Sequence, residues 1–342
     1  MIQRALLEDF AAQIFAGAGM EAAHARTVAQ VLVFANLRGV DTHGVSRIAQ
    51  YVEMIDRGEI NPTPALTVIS DLPALAVLDA DRAAGPVAMV RAVDIAMEKA
   101  RYAGIGMTLV RGTTHTAALG YYTRRAAESG FAAIALSGSA PLMGYYGALA
   151  AGVATNPISI AVPGGVRGPV VLDMASSVIP LGRIFQARRT GEALPPDSAM
   201  DKQGRVTTDP HAAAYPLPLG GPKGSGLSLM IECLTSLAVA APIVSEALEG
   251  TEFGRRHRQN ASVIAIDLAR FGDPQAYAVE LQRLEKDLKA LPVDPAVSEI
   301  LMPGERGDRE YARRMRAGID VPAPVLADLQ KLARRFGIAA PG

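Results

Sequence analysis

Cysteine occurs once in 342 residues, as Cys233 in an apolar run, so neither a disulfide framework nor a cysteine metal cluster is available. A reducing, cytoplasmic setting fits that scarcity. Net charge is missing as well. Lys plus Arg and Asp plus Glu number 34 each, which leaves no basic stripe for nucleic acid or an anionic membrane and favours small-molecule chemistry. No His/Glu or Cys/His spacing suits a zinc ion, and no Gly-x-Ser-x-Gly elbow marks a hydrolase. The Walker spacing is absent around Lys223. Gly104-Ile105-Gly106 fails the glycine pattern of a Rossmann turn, so a dinucleotide would have to bind in another fold. The N-terminus is amphipathic, with Leu6, Phe10 and Ile14 on one face, and reads as neither signal peptide nor anchor. A chain that is 49% hydrophobic and 20% charged is ordinary for a globular protein with a large core, long enough for two domains.

What is present centres on Asn36 to Arg47, continuing through Tyr51 to Gly58. Asp41 and Thr42 are good N-cap residues, and Ile48, Val52 and Ile55 recur at helical spacing, which predicts a helix starting here and stopping at Gly58. Arg47 and Tyr51 would then stack one and two turns below His43, since residues four apart share a face. The helix N-terminus would disfavour the imidazolium and hold the His43 pKa near or below neutrality. A cation, a phenol and a proton carrier on one face suit acid/base chemistry on an anion. The same spacing also suits a capped surface helix with solvated His and Arg.

The chain up to about Pro64 is helical in pattern, and short strands are expected at Leu66 to Ser70 and Leu75 to Asp79. A helix from Val87 to Arg101 leads into a buried strand, Ile105 to Val110, which delivers the loop Arg111 to His115. A further helix is expected from Ala118 to Ser129. Gly130 to Val166 carries no charge and is too broken for a membrane span; buried strands at Phe131 to Ser137 and Ile158 to Val162 are expected, joined by a Gly/Tyr-rich loop. Core packing explains the strands, whereas Ser137 to Pro141 and Thr155-Asn156-Pro157 supply the small polar groups that line pockets. Asp173, after the strand Val170 to Leu172, calls for a partner such as a ribose hydroxyl or an imidazole. Leu194 to Pro210 reads as an exposed excursion. Lys223, one of six lysines, sits in a glycine turn opening an apolar helix, a place that favours phosphate or carboxylate. A strand at Val263 to Asp267, a helix capped by Asp273, a turn at Gly304 to Arg306 and two helices from Asp308 and Pro324 complete the chain. Of five histidines, His24, His211 and His257 read as surface residues, leaving His43 and His115.

Assembled, these segments resemble the second type of malate/L-lactate dehydrogenase family, which includes ureidoglycolate and sulfolactate dehydrogenases, diketogulonate reductase and piperideine-2-carboxylate reductase. The resemblance spans nearly the whole chain and rests on Gly39 to Arg47, Thr155 to Pro157, Leu172 to Ser177, Lys223 to Leu227 and Pro303 to Glu305. It implies an α/β (α+β) fold: a non-Rossmann, mixed-sheet dinucleotide-binding domain over 71–290, and a smaller helical domain over 1–70 with 291–342 packing back on it. It implies NAD- or NADP-dependent hydride transfer alpha to a carboxylate, in a homodimer. His43 would be the acid/base, His115 a second catalytic or substrate histidine and Arg47 the carboxylate clamp. Thr42, Tyr51 and Thr155 would complete the substrate site. Ser139, Asp173, Met174, Ala175, Lys223, Gly224, Gly304, Glu305 and Arg306 would contact the cofactor. Thr42 replaces the family's usual Ser, Thr113-Thr114 a Ser-Asn, and Ser137-Gly138 a Thr-Asn, so contacts near Gly138 differ. A 2-hydroxyacid/2-oxoacid oxidoreductase is the leading expectation, reduction of a cyclic imine carboxylate the nearest alternative. A binding protein without chemistry would not need two histidines.

Overall fold

The structure is a computed structural model and describes residues 1–165, 167–252 and 258–340; His257 lies outside them. Helical spacing of apolar residues puts Leu7, Phe10 and Ile14 of α1 (Arg4–Gly17) against Val28, Val31 and Leu32 of α2 (Ala22–Leu37), all fully or almost fully buried. Two 3-10 turns, Asp41–His43 and Val45–Arg47, precede α3 (Ile48–Asp56). There follow β1 (Thr67–Asp71), β2 (Leu75–Asp79), α4 (Gly85–Ala103), β3 (Ile105–Thr113), α5 (Gly120–Glu128) and β4 (Phe131–Gly138). A small ribbon of β5 (Met143–Gly144) and β6 (Ala151–Val153) leads to β7 (Ile158–Val162), β8 (Val170–Met174) and α6 (Leu181–Thr190). A second ribbon, β9 (Ala199–Met200) with β10 (Tyr215–Pro216), comes before α7 (Pro222–Glu232) and α8 (Val244–Leu248). The chain ends with β11 (Gln259–Asp267), α9 (Pro274–Lys289), α10 (Glu305–Ala317) and α11 (Ala323–Phe336).

Seven strands form one mixed sheet in the order β1-β2-β3-β11-β4-β7-β8. Only β2 and β3, joined by the α4 crossover, run parallel. The register brings Thr113 opposite Gln259, Gly138 opposite Asn260, and Ile158 opposite both Leu136 and Met174. The C-terminal ends of β3, β4 and β8 and the starts of β7 and β11 therefore share one edge, where their loops meet. The C-terminal segment returns to the N-terminal helices: Ile2 and Ile319 form a β-bridge, and α11 packs on α1 and α3. One apolar core runs from α1 and α2 through α4 into the sheet.

Three local expectations change. The single helix from Val45 to Gly58 is instead two 3-10 turns followed by α3, because Gly44 is extended and Asp41 is drawn into tertiary bonds rather than capping. The apolar helix expected to reach Val239 breaks at Glu232 into a π turn, Cys233–Leu237. The excursion after Leu194 is not simply exposed: Leu194, Ala199 and Ala213 bury against Ile179, Ile184 and Ala187 in a core of their own.

Candidate active site

The His43 loop is held from below by Asn36. Its buried amide donates to Asp41 Oδ1 at 2.6 Å and accepts from Val45 N–H at 2.8 Å. Gly44 lies so close to it that a Cβ there would stand 2.2 Å from Asn36 Oδ1, a contact only glycine permits. Arg314, from α10, reaches back to donate to both Asp41 oxygens and to the Asn36 carbonyl. Thr42 Oγ1 is 3.0 Å from His43 Nδ1. Burial, with Arg47 adding to it, lowers the His43 pKa to about 4, so the imidazole is neutral at pH 7. This corrects the expected cause, since no regular helix starts at His43. Arg47 Nε donates to the Thr42 carbonyl at 2.7 Å and Nη1 to Gln50 Oε1 at 2.8 Å; Nη2 makes no bond among the described residues.

Strand β3 delivers His115 to the same place. The His43 and His115 rings stack with centroids 5.5 Å apart at 29°. Tyr51, expected against the substrate, is fully buried and turned inward: its hydroxyl lies 2.7 Å from His115 Nδ1 and 2.9 Å from the His115 carbonyl oxygen. Tyr122 Oη donates to the next carbonyl, Thr116 O, at 2.7 Å, while Gln259 Oε1 accepts from Thr116 N–H at 3.2 Å.

From Thr116 polar contacts lead along the sheet edge. Its hydroxyl donates to Ser137 Oγ, and two residues on, Ser139 N–H donates to Asn156 Oδ1 at 3.1 Å. Asn156 is fully buried and also donates to Ser228 O on α7, while Thr155 O accepts from Ser176 N–H. The change to Gly138 also has a local counterpart. A Cβ there would meet Thr235 Oγ1 at 2.6 Å and Glu232 Oε2 at 3.0 Å, so α7 and its π turn take up that room. Gly224 packs as closely, with its missing Cβ 2.4 Å from Ser176 O; beside it Lys223 is exposed at the start of α7. The Ser176 and Ser177 hydroxyls are buried and have no partner among the described residues.

Asp173 does not pair with an imidazole; it accepts from Gly120 N–H, at the start of α5, at 2.8 Å. Crowding by neighbouring groups pushes the carboxyl up to about 6 against the opposing Gly120 bond and Arg38, although Asp173 as a whole is exposed to solvent, beside half-buried Met174 and Ala175. Gly304, left-handed at φ 82°, brings the start of α10 against Val171 O, and its carbonyl accepts from Arg38. Arg306 is exposed there. Glu305 faces inward: burial would raise its carboxyl, yet Lys289, Met302 N–H, Arg309 and Arg167 hold it at about 2. Its oxygens are committed to the protein.

His43, Arg47, His115, Ser139, Thr155, Asp173, Lys223 and Gly224 thus lie along or beside that edge, Gly304 packs against Val171 near the start of β8, and Tyr51 and Glu305 face inward. Asn36, Arg314, Asn156 and Gln259 escape a reading of local pattern. Asn36 and Asn156 do stand within the informative stretches, and a buried amide at a loop base is the signal they offered.

A family profile described as malate/L-lactate dehydrogenase matches residues 2–330. A malate dehydrogenase of Pyrococcus abyssi (strain GE5 / Orsay) is 33% identical, over 97% of this chain and 94% of its own. Among solved structures, malate dehydrogenase from Entamoeba histolytica superposes with a TM-score of 0.95 at 27% identity, over 100% of this chain and 99% of that one. The delta1-piperideine-2-carboxylate reductase of Pseudomonas syringae pvar. tomato gives 0.86 at 28%, over 97% and 99%.

Proposed function

From the malate/L-lactate dehydrogenase family, to which this chain belongs as an oxidoreductase, we propose that it moves a hydride between NAD or NADP and the alpha carbon of a small 2-hydroxyacid/2-oxoacid. The observation that carries this reading is the stacked pair of His43 and His115 beside Arg47, two proton-handling rings next to an anion-binding cation. The edge from Ser139 to Lys223 suits a dinucleotide. Two buried hydroxyls without a partner among the described residues, Ser176 and Ser177, stand near a helix start where Gly224 lets the Ser176 and Leu219 backbone approach closely, with Lys223 beside it. The one parallel strand pair among the described residues favours a cradle made from loops at the sheet edge over a Rossmann crevice.

When bound, the dinucleotide supplies the hydride acceptor or donor; this chain's residues do the rest. Arg47 offers N–H groups to the substrate carboxylate and fixes the neighbouring carbon. His43, kept neutral by burial, holds the substrate oxygen by a hydrogen bond without adding charge. His115 takes the hydroxyl proton in oxidation and returns it in reduction, which moves the acid/base role from His43 to its neighbour. Arg38 and Arg314 tie α10 to the His43 loop, so the two ends of the site share one frame.

A cyclic imine carboxylate is a second reading, favoured by the structural likeness to the piperideine-2-carboxylate reductase. Both readings use the same clamp and proton donor. Oxidation of NADH and of NADPH against a panel of 2-oxoacids and cyclic imine carboxylates separates them. Tight cofactor binding with no turnover on any member would leave a binding protein and overturn the proposal.

A further inference from the structure

The Tyr51 hydroxyl carries one proton and faces two atoms of His115. A carbonyl oxygen can only accept, so at 2.9 Å from His115 O the phenol is the donor there. Its oxygen is then left to accept from the ring nitrogen at 2.7 Å. In the opposite arrangement, with the phenol donating to Nδ1, the 2.9 Å approach to the carbonyl would set two acceptor oxygens together in a fully buried place, an unfavourable contact. Burial also holds the phenol above its ordinary pKa, against the opposing effect of Arg47, so the proton stays on the oxygen. The ring cannot swing away to another partner, because Tyr51 is packed against Phe15 with centroids 6.2 Å apart and crosses His115 edge-on at 75°.

We propose that Tyr51 is a positioning residue that sets the tautomer of His115, holding the ring proton on Nδ1 and so making Nε2 the atom that gains and loses a proton with substrate. The inference rests on the reading of His115 as the acid/base. It also gives the inward-facing phenol a function that the burial of an ordinary core aromatic would not need. A tyrosine that merely filled space would be replaced by phenylalanine without effect on the imidazole. One that directs a tautomer acts through the hydroxyl alone.

The test is long-range proton–nitrogen NMR on protein carrying 15N-labelled histidine, with His115 assigned from the signal lost in His115→Gln. Above its titration, His115 should show a protonated Nδ1 and a bare Nε2. In Tyr51→Phe the proton should move wholly or in part to Nε2. Turnover of that variant should fall at least about tenfold, part of the roughly 100- to 10,000-fold that a placed acid/base supplies, with dinucleotide Kd close to wild type. A wild-type His115 protonated on Nε2, or a tautomer unmoved in Tyr51→Phe, overturns the assignment. Because the wild-type spectrum needs no variant and no activity, it stands if Tyr51→Phe does not fold. The expected tautomer in a protein without turnover would sink the enzyme reading and leave Tyr51 in place.

Discussion

Arg47 is the residue on which substrate class turns, and its surroundings sharpen what a substitution should do. Nε and Nη1 are spent on Thr42 and Gln50, so in the proposed reading the outer edge of the guanidinium would meet the substrate while the inner edge locks it in place. Lysine keeps the charge but cannot do both. Arg47→Lys is expected to lower kcat/KM for the best acid by at least ~10-fold, with NAD(P)H affinity within about twofold. An amide of the same substrate should be poor for the wild type and indifferent to the change; equal use of acid and amide would dismiss the clamp. Two of the shifted groups of the site, His43 and Asp173, make a second prediction, with opposite signs. The His43 pKa falls from 6.5 to about 4 on folding, so the unfolded chain takes up its proton first and stability is lost as pH falls through that window. Asp173 rises from 3.8 to about 6, so its contribution is lost as pH rises through 6 and regained on acidification. Between pH 7 and pH 5 the drop in Tm should shrink in His43→Gln and grow in Asp173→Asn. Identical drops in all three proteins would show that neither group titrates as described.

Elements show where sequence reading succeeds and where it stops. The stretch from Asp41 to Arg47 and the loop ending in His115 could be read as chemistry because their residue types announce it locally. Helix α4 and strands β4 and β7 were likewise legible from periodicity. What local pattern could not carry is contact across long separations, such as Arg314 on Asp41 or β11 inserted between β3 and β4. Asp41 looked like a helix cap because nothing nearby revealed the arginine that claims its carboxylate. For the same reason helical spacing points Tyr51 toward the substrate, although its partner lies 64 residues away. The Gly44 contact with Asn36 lends itself to a direct test of this loop. Gly44→Ala should cost roughly 1 to 3 kcal/mol by overpacking, read from urea unfolding, and lower turnover by displacing His43. In an Asn36→Ala background the same substitution should cost distinctly less, because the clashing amide is gone. Strictly additive costs would mean that the strain lies elsewhere.

At the scale of the whole molecule, one of the exposed apolar faces among the described residues lies along α7. Along α7 and its π turn Met230, Leu234 and Leu237 are 53%, 48% and 51% exposed, four and three residues apart, so they share a stripe of the helical surface. The same end of the chain's fold carries Leu219 and, across from the α7 turn, Tyr146, whose ring lies against Gly221. Exposed apolar area of this extent is costly to leave in water, and a twofold axis through the stripe would let it cover itself with its own copy. None of the described helices is long and apolar enough to cross a membrane. We therefore expect a homodimer joined through α7, with a mass by light scattering near twice the 35.8 kDa of one chain. Because Leu234 would meet the same stripe in both copies, Leu234→Glu places two carboxylates in one apolar contact and should split the dimer at micromolar concentration. A wild type that runs as a monomer refutes the assembly. A Leu234→Glu protein that stays dimeric moves the interface to another face. The Leu234→Glu monomer also tells whether the edge from His43 to Lys223 is sufficient in one chain: full NAD(P)H affinity in it would mean that the proposed cofactor cradle needs nothing from a partner copy.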